Sequence, residues 1–405
     1  MTRKSLPRAF VRTLPLLVLL WPHLCSAAST FKVLHSFGQG NDGAGVWSSV
    51  ILDGKGNVYG TTSGGGTHKG GTAFKLKALK GGNYKETILY NFYSTPHDGA
   101  GPFGGVTFGP AEVLYGTTQI GGKYENGTVY SLTPSAHRWK ETILYSFPPP
   151  SKHGCCPWAG VVRDSSGNLY GTAYIAYELT HGSKSWKQIV LHDFTGENGD
   201  GAEPTAGMVL DSSGNLYGAT TYGGQNCGSS GCGVVYELSP GRGGKWKETI
   251  PHEFQSNGMD GEWPSLGALV MDTSGTLYGA TSNGGCCGGT VYKVEPTSGG
   301  WQEAVLYEFT GGTNGIEPGG GVVIDKSGNL YGTTIAGGSQ CDCGVVYELS
   351  PNSDGTWNYT ILHTFNDLDG AEPDANLTLD DKGNIYGTAA GGGVFGGGVV
   401  FEIIP

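Results

Sequence analysis

The chain has 405 residues, with 24 basic against 35 acidic side chains and a formal net charge of −11. That balance excludes nucleic acid as a partner, because its binding depends on neutralising phosphates with Lys and Arg; neutral and cationic partners stay open. Glycine supplies 74 residues, yet it recurs at fixed offsets, a pattern of tight turns and closely packed backbones and not of disorder.

Residues 1–28 read as a signal peptide. Arg3, Lys4, Arg8 and Arg12 make a basic start, Leu14 to Trp21 an apolar core, and Ser26-Ala27-Ala28 a small-residue cleavage site. The apolar run is too short for a bilayer, and no later stretch reaches the roughly 18 apolar residues a span needs. Pro22 and His23 sit where a lipid-attachment signal at Cys25 requires small or aliphatic residues. Without the leader the balance is 20 basic to 35 acidic, a net of −15. The mature chain, 29–405, is expected to be exported to the periplasm or the extracellular space and to be monomeric. It keeps eight of the nine cysteines, and an even count in an exported chain favours disulfides.

The first mature segment, FKVLHSF at 31–37, returns as ETILYNF at 86–92, ETILYSF at 141–147, QIVLHDF at 188–194, ETIPHEF at 248–254, EAVLYEF at 303–309 and YTILHTF at 359–365. Between these segments lies one unit, repeated. AGMVLD (206–211) typifies its first strand, and the turn Ser212-Ser213-Gly214-Asn215 leads to a second, LYGATT. A glycine-rich loop leads to a third, GVVYEL (233–238), and a hairpin through SPGRGGKW to the fourth, ETIPHEF. A Tyr-Gly pair marks each copy, at Tyr59, Tyr115, Tyr170, Tyr217, Tyr278, Tyr331 and Tyr386, at intervals of 47 to 61 residues. No stretch after the leader has a helical period.

Four strands per unit and seven units predict an all-β fold, a seven-bladed β-propeller occupying 29–405. The first segment is a fourth strand without its three predecessors, and the last unit has only three, ending in GVVFEI at 398–403. The amino-terminal strand is therefore expected to complete the carboxy-terminal blade and close the ring, hiding a strand edge. A linear solenoid would leave both ends uncapped.

The unit D-x-x-G-N-L-Y-G-T-T, a Gly-Gly loop, G-V-V-Y-E-L and I-L-Y-x-F resembles the GloVer tandem repeat of bacterial exported proteins, a repeat attached to varied surface anchors. The resemblance covers essentially the whole mature chain and implies export and a repeat scaffold, with no established activity. The chain departs from anchored members by ending at Pro405 without a hydrophobic tail or sorting motif, so a released protein is expected. Its strand order is similar to that of NHL-type propellers, which bears on fold alone.

Most repeated residues read as scaffold. Asp53, Asp164, Asp211, Asp272, Asp325 and Asp380 precede Gly-Asn or Gly-Thr turns whose amides an Asp caps. The Tyr of each Tyr-Gly pair and the hairpin tryptophans Trp139, Trp186, Trp246, Trp301 and Trp357 are expected to pack between blades. His35, His192, His252 and His363 share a slot with Tyr90, Tyr145 and Tyr307, which makes them packing residues rather than bases or ligands. His97 and His153 lie on the loop face without a motif-supported partner.

The blade-joining loops read DGAG at 42 and 98, DGAEP at 200 and 369, DGEWP at 260 and NGIEP at 314, placing many acids on one face. Calcium is the functional reading, with Asp200 and Glu203 of NGDGAE as candidate ligands. A turn-closing role is the favoured alternative, because no single copy supplies the six or more oxygens calcium takes. The mature cysteines fall on the same face as Cys155 and Cys156, Cys227 and Cys232, Cys286 and Cys287, and Cys341 and Cys343. Cys227 and Cys232, closing CGSSGC, form the easiest local bridge; adjacent pairs are candidates for vicinal or cross-blade bonds. The spacings match no zinc framework.

Differences among the copies carry the functional signal. From the Tyr-Gly tyrosine to the third-strand aromatic the third unit spans seven residues, Tyr170 to Tyr177, against 14 to 19 elsewhere. Its glycine loop is missing, and the face should be notched there. At the mouth of the central channel, units one to three carry Trp47, Phe103 and Trp158, whereas units four, six and seven carry Thr205, Gly319 and Asp374. Trp263 is a further aromatic approaching from blade five, and Asp42 and Asp98 are candidate polar contacts. Such rings suit stacking on sugars or anchoring a protein; as core, they would plug the channel.

The expected function is therefore a non-enzymatic binding propeller for a carbohydrate or a cell-surface protein, without a cofactor. A secreted enzyme, polysaccharide-degrading or a metal-dependent lactonase-like hydrolase, is the alternative. Asp374 and Asn376 are the only obvious ligands at the first-strand starts, too few for a metal site, and paired carboxylates have no sequence signature among so many acids. A structural matrix component is the third reading.

Overall fold

The computed structural model describes residues 29–136, 138–149, 154–182, 185–228 and 230–405. The leader and His153 lie outside the described residues. Within them, seven antiparallel sheets stand in a ring as the blades of a propeller. Blade 4 shows the order from axis to rim: Val209–Leu210, Leu216–Thr220, Val234–Pro240 and Trp246–Glu253. In blade 7, Thr378–Leu379, Ile385–Ala389 and Val399–Ile404 supply three strands. Thr30–Ser36 adds the fourth, with Thr30 opposite Ile404 and Ser36 opposite Val399. The two ends of the chain thus share one sheet, as their sequences require.

The innermost strands are shorter than expected, two residues in blade 4 where AGMVLD suggests six. The chain entering each blade runs beside the axis, where neighbours converge. A Cβ on Gly104 would lie 2.3 Å from the Gly160 nitrogen, and one on Gly267 would lie 1.6 Å from the Gly321 nitrogen. Only glycine permits such an approach. These segments are held by side chains of the preceding blade instead of by a ladder. In four blades the threonine after the Tyr-Gly pair donates to a carbonyl of the next blade, from Thr61 to Gly104 at 3.2 Å, Thr117 to Ala159 at 2.8 Å, Thr172 to Ala206 at 3.1 Å and Thr388 to Ser48 at 3.0 Å; blades 4 and 5 carry Ala219 and Ala280 there, and Thr333 of blade 6 has no partner.

The repeated turn is a closed hydrogen-bond unit. Asp53 Oδ1 accepts the amides of Lys55 and Asn57, each at 2.9 Å, while Oδ2 accepts Asn57 Nδ2 at 2.7 Å and the Tyr59 hydroxyl at 3.2 Å. Burial pushes the Asp53 carboxyl up, but these donors outweigh it and hold the group below the usual carboxylate range. The tyrosine of the Tyr-Gly pair packs on the next blade, in blade 2 as well, where the turn has no aspartate. Tyr115 meets Trp186, Tyr170 meets Trp246 and Tyr217 meets Trp301, with ring centroids 6.1 to 6.4 Å apart. The apolar clusters lie between blades, and each joins two neighbours.

The glycine of each Tyr-Gly pair has its own cause. It lies under the third-strand aromatic of its blade, and a Cβ on Gly218 would stand 2.3 Å from the Tyr236 hydroxyl oxygen. Tyr130, Tyr177, Tyr236, Tyr292 and Tyr347 fill this place fully buried, with hydroxyls that lack a partner, and blades 1 and 7 use Phe74 and Phe401. Ring volume, not the hydroxyl, is what the position requires. Gly218→Ala should cost roughly 1–3 kcal/mol by overpacking, whereas Tyr236→Phe should leave stability unchanged or raise it, since a buried hydroxyl without a partner is a liability. Urea unfolding of the two variants checks both; a loss above about 1 kcal/mol in Tyr236→Phe would show that the hydroxyl is bonded.

Candidate ligand-binding face

The seven blade-entering segments place one residue each at the channel mouth, in the order Trp47, Phe103, Trp158, Thr205, Leu266, Gly319 and Asp374. All of these except Gly319 line a cavity of about 540 Å³, whose floor is made of small residues such as Gly104, Ala159, Gly207 and Ala375. Trp47 is 37% exposed and Trp158 is 40% exposed, so the rings stand at the rim and do not plug the channel. Phe103 and Trp158 touch with centroids 5.1 Å apart. Phe103 also borders a side pocket of about 240 Å³ with Tyr93 and Ile120. On the other side, Trp158 and Thr205 border a shallow pocket with Tyr174 and Glu203. Two smaller pockets thus flank the cavity, one sharing Phe103 with it and the other Trp158 and Thr205.

The missing loop of blade 3 makes the second of those pockets. Leu169–Thr172 and Ile175–His181 are joined by two residues, and Tyr174 at φ +61 projects into solvent. Trp263 is not part of the cavity; it packs against Tyr222 with centroids 6.3 Å apart, and Leu266 holds blade 5's place in the ring. The turn-relative spacing that aligns Trp47, Phe103 and Trp158 also reaches Leu266, and that alignment was the available signal.

Asp42 and Asp98 also lie away from the cavity lining. Each bonds the amide of its following glycine at 2.7 Å, and each serves a seam between blades. Asp42 accepts His35 Nε2 at 3.0 Å, and Asp98 accepts the Tyr90 hydroxyl at 2.9 Å. Asp200 accepts His192 at 3.0 Å through one oxygen and the Thr195 amide and hydroxyl through the other; Glu203 lies exposed at the notch. His252 pairs with Asp260 and His363 with Asp369 in the same manner. His35, His192, His252, Tyr90 and Tyr145 of this slot are hydrogen-bonded across the joints, whereas Tyr307 is held by ring stacking.

Each seam adds a residue from the next blade's fourth strand, which sequence reading missed. Glu86, Glu248 and Glu303 complete trios with His35 and Asp42, His192 and Asp200, and His252 and Asp260. The donor atoms of each trio lie within 4.8 Å of one another, so these are the groups among the described residues able to hold a divalent metal. Where the histidine is a tyrosine, other partners serve: Tyr145 donates to Gln188 at 2.8 Å, and Tyr307 stacks on Tyr359 with centroids 4.3 Å apart. The closing seam stacks His363 on Phe31 at 3.5 Å.

The sequence matches the Gloeobacter/Verrucomicrobia repeat twice, over residues 23–226 and 225–405. The chain belongs to this family. No curated protein matches it. Among solved structures it is similar to a putative oxidoreductase (glucose dehydrogenase) from Thermus thermophilus, at 13% identity and TM-score 0.42, covering 93% of this chain and 100% of that one. It is similar also to an ancestral GH74 enzyme, at 12% identity and TM-score 0.47, covering 86% of this chain and 55% of that one. A third is PorZ, a surface component of the type-IX secretion system of Porphyromonas gingivalis, at 12% identity and TM-score 0.39, covering 84% and 44%. These likenesses concern fold alone.

Two disulfides staple this repeat protein's loop face, Cys227 to Cys232 and Cys341 to Cys343. Cys155, Cys156, Cys286 and Cys287 are free thiols, and the first two have sulfurs 2.8 Å apart. The expected local bridge is present, and the adjacent pairs are not bonded.

The seam acids of the repeat have a predictable titration. Burial, then the neighbouring Asp42, lifts Glu86 to about 7; burial, then Asp98, lifts Glu141 to about 8. Glu248 and Glu303 reach about 7 by burial, with Asp200 and Asp260 adding to it and His192 and His252 opposing. A carboxyl lifted above its unfolded value favours folding when protonated, so this stability is whole below about pH 4.5 and is lost as pH rises through 7 to 8. His192, raised by its acids against burial, acts in the same direction; His363, lowered by burial, opposes below its ordinary value. The melting temperature should therefore fall from pH 5 to pH 8.5. Glu141→Gln should raise stability at pH 8.5 by about 1–3 kcal/mol and change little at pH 5; no gain at the higher pH would contradict the assignment.

Proposed function

We propose that this chain is an exported, non-enzymatic binding propeller whose ligand is a carbohydrate chain lying across blades 1 to 3. The observation that carries the reading is the arc of rings on the rim of the cavity, Trp47 and Trp158 exposed with Phe103 partly buried between them. A flat apolar ring on a cavity rim suits the C–H face of a sugar, whose hydroxyls remain free to reach polar groups such as Ser48, Ser49 and Thr205. The flanking pockets that share Phe103 and Trp158 favour an oligomer over a single sugar. Export is supported by the signal-like residues 1–28 and by the two disulfides.

Binding is favoured over turnover by the chemistry of the lining. Its one titratable group is Asp374, while glycoside hydrolysis uses two carboxyls flanking the scissile bond. The metal-capable trios belong to blade seams, and none of their residues lines the cavity.

A glycan and polysaccharide screen of residues 29–405, followed by calorimetry on the best ligand, tests the reading. Trp47→Ala and Trp158→Ala should each weaken binding about tenfold or more, as expected for losing roughly 1.5–3 kcal/mol of ring burial, with circular dichroism and melting unchanged. Unaltered affinity in both variants, or no carbohydrate bound by the parent, would sink the proposal.

A further inference from the structure

Asp374 is the anomaly of the channel mouth. It takes the place that blades 1 to 3 give to aromatic rings, next to Trp47 around the ring, and it is 9% exposed. Its Oδ1 has no hydrogen-bond partner. The polar residue at the same position in blade 4, Thr205, is satisfied by Thr221 at 2.9 Å. The space for the carboxyl comes from blade 6, whose copy of the position is Gly319; a Cβ there would lie 2.0 Å from Asp374 Oδ1. The ring thus makes room for an acid and gives it no partner.

We propose that the cavity recognises the primary ammonium group of an amino sugar, with Asp374 as its counter-charge and the neighbouring rings as its platform. This rests on the carbohydrate reading above and narrows it. A carboxylate buried without a partner is costly to the fold. An ammonium donor removes that cost through a charge-assisted hydrogen bond, roughly twice as strong as a neutral one. The same cation gains from the faces of Trp47 and Phe103. A neutral hydroxyl or an N-acetyl group can bond the carboxyl but leaves the charge uncompensated. Burial, and then Glu372, lifts the Asp374 carboxyl to about 7, which is the behaviour of an acid lacking its cation. The rest of the lining is uncharged, so discrimination between an amine and its acetylated form falls to this one residue.

Calorimetry with the β-1,4-linked trimers of glucosamine and of N-acetylglucosamine, at 150 mM and 500 mM salt, tests the inference. The parent should prefer the amine about tenfold or more, and Asp374→Asn should bring the affinities for the two trimers together. Equal binding of both trimers by the parent overturns the inference even if Asp374→Asn fails to fold. A preference that survives in a folded Asp374→Asn, fading at high salt, also overturns it, as attraction to the acidic surface. Binding of the acetylated trimer or of a neutral glucan alone overturns the inference and leaves the carbohydrate reading standing; failure of every sugar removes both. A lysine-rich peptide bound through Asp374 with no sugar bound overturns it in favour of a protein partner.

Discussion

No blade of this propeller can stand alone, and the rest of the structure follows from that. Each sheet exposes apolar side chains on both faces, and only the neighbouring blades cover them. Tyr217, Val235 and Cys232 of blade 4 share one cluster with Leu269, Leu277 and Tyr292 of blade 5, and corresponding sets recur at the other joints. A ring is the arrangement that leaves no such face uncovered. The two joints of blade 7 depend on the amino-terminal strand, which supplies Phe31 to one cluster and Leu34 and Phe37 to the other. Closure is therefore a packing requirement as much as a pairing of strand edges.

The repeated chemistry of the copies is a set of answers to that requirement. Where it is present, the turn aspartate fixes the tyrosine that crosses to the next blade; the glycine beside it clears the third-strand ring; in four blades the following threonine ties down the next blade's entering segment. At the outer strands the seam is polar, and the copies solve it in three ways. His–Asp–Glu trios serve some joints, a tyrosine hydroxyl serves others, and stacked rings serve the rest. The first solution buries two carboxyls beside one histidine, which makes the fold sensitive to pH and gives those joints the donor set of a metal site without placing them on the channel.

Periodicity made the architecture readable. Seven Tyr-Gly pairs, a lone fourth strand at one end and a missing one at the other left a closed seven-bladed ring as the consistent arrangement, and Thr30–Ser36 pairs with Val399–Ile404 accordingly. What could not be read was which side chains meet across blades. Asp42 and Asp98 look like free surface acids because their partners, His35 and Tyr90, precede them on another strand and Glu86 and Glu141 come from the following blade. Trp263 is three residues from the position that faces the channel, and on a turn three residues change the direction of a side chain. Trp47, Phe103 and Trp158 were legible as a group because they occupy one aligned position, although only coordinates could place them at a rim and not in a core.

Function on such a scaffold lies where the copies stop agreeing. Three rings on adjacent blades, a deleted loop beside them and one unpartnered acid break the sevenfold pattern on one face and leave the seams intact. The most direct measurement is a crystal structure of residues 29–405 with the tightest-binding oligosaccharide. The account predicts sugar rings stacked on Trp47, Phe103 and Trp158 above the channel cavity. Ligand density on the outer strands or in a blade seam, with the channel mouth holding only solvent, would contradict it.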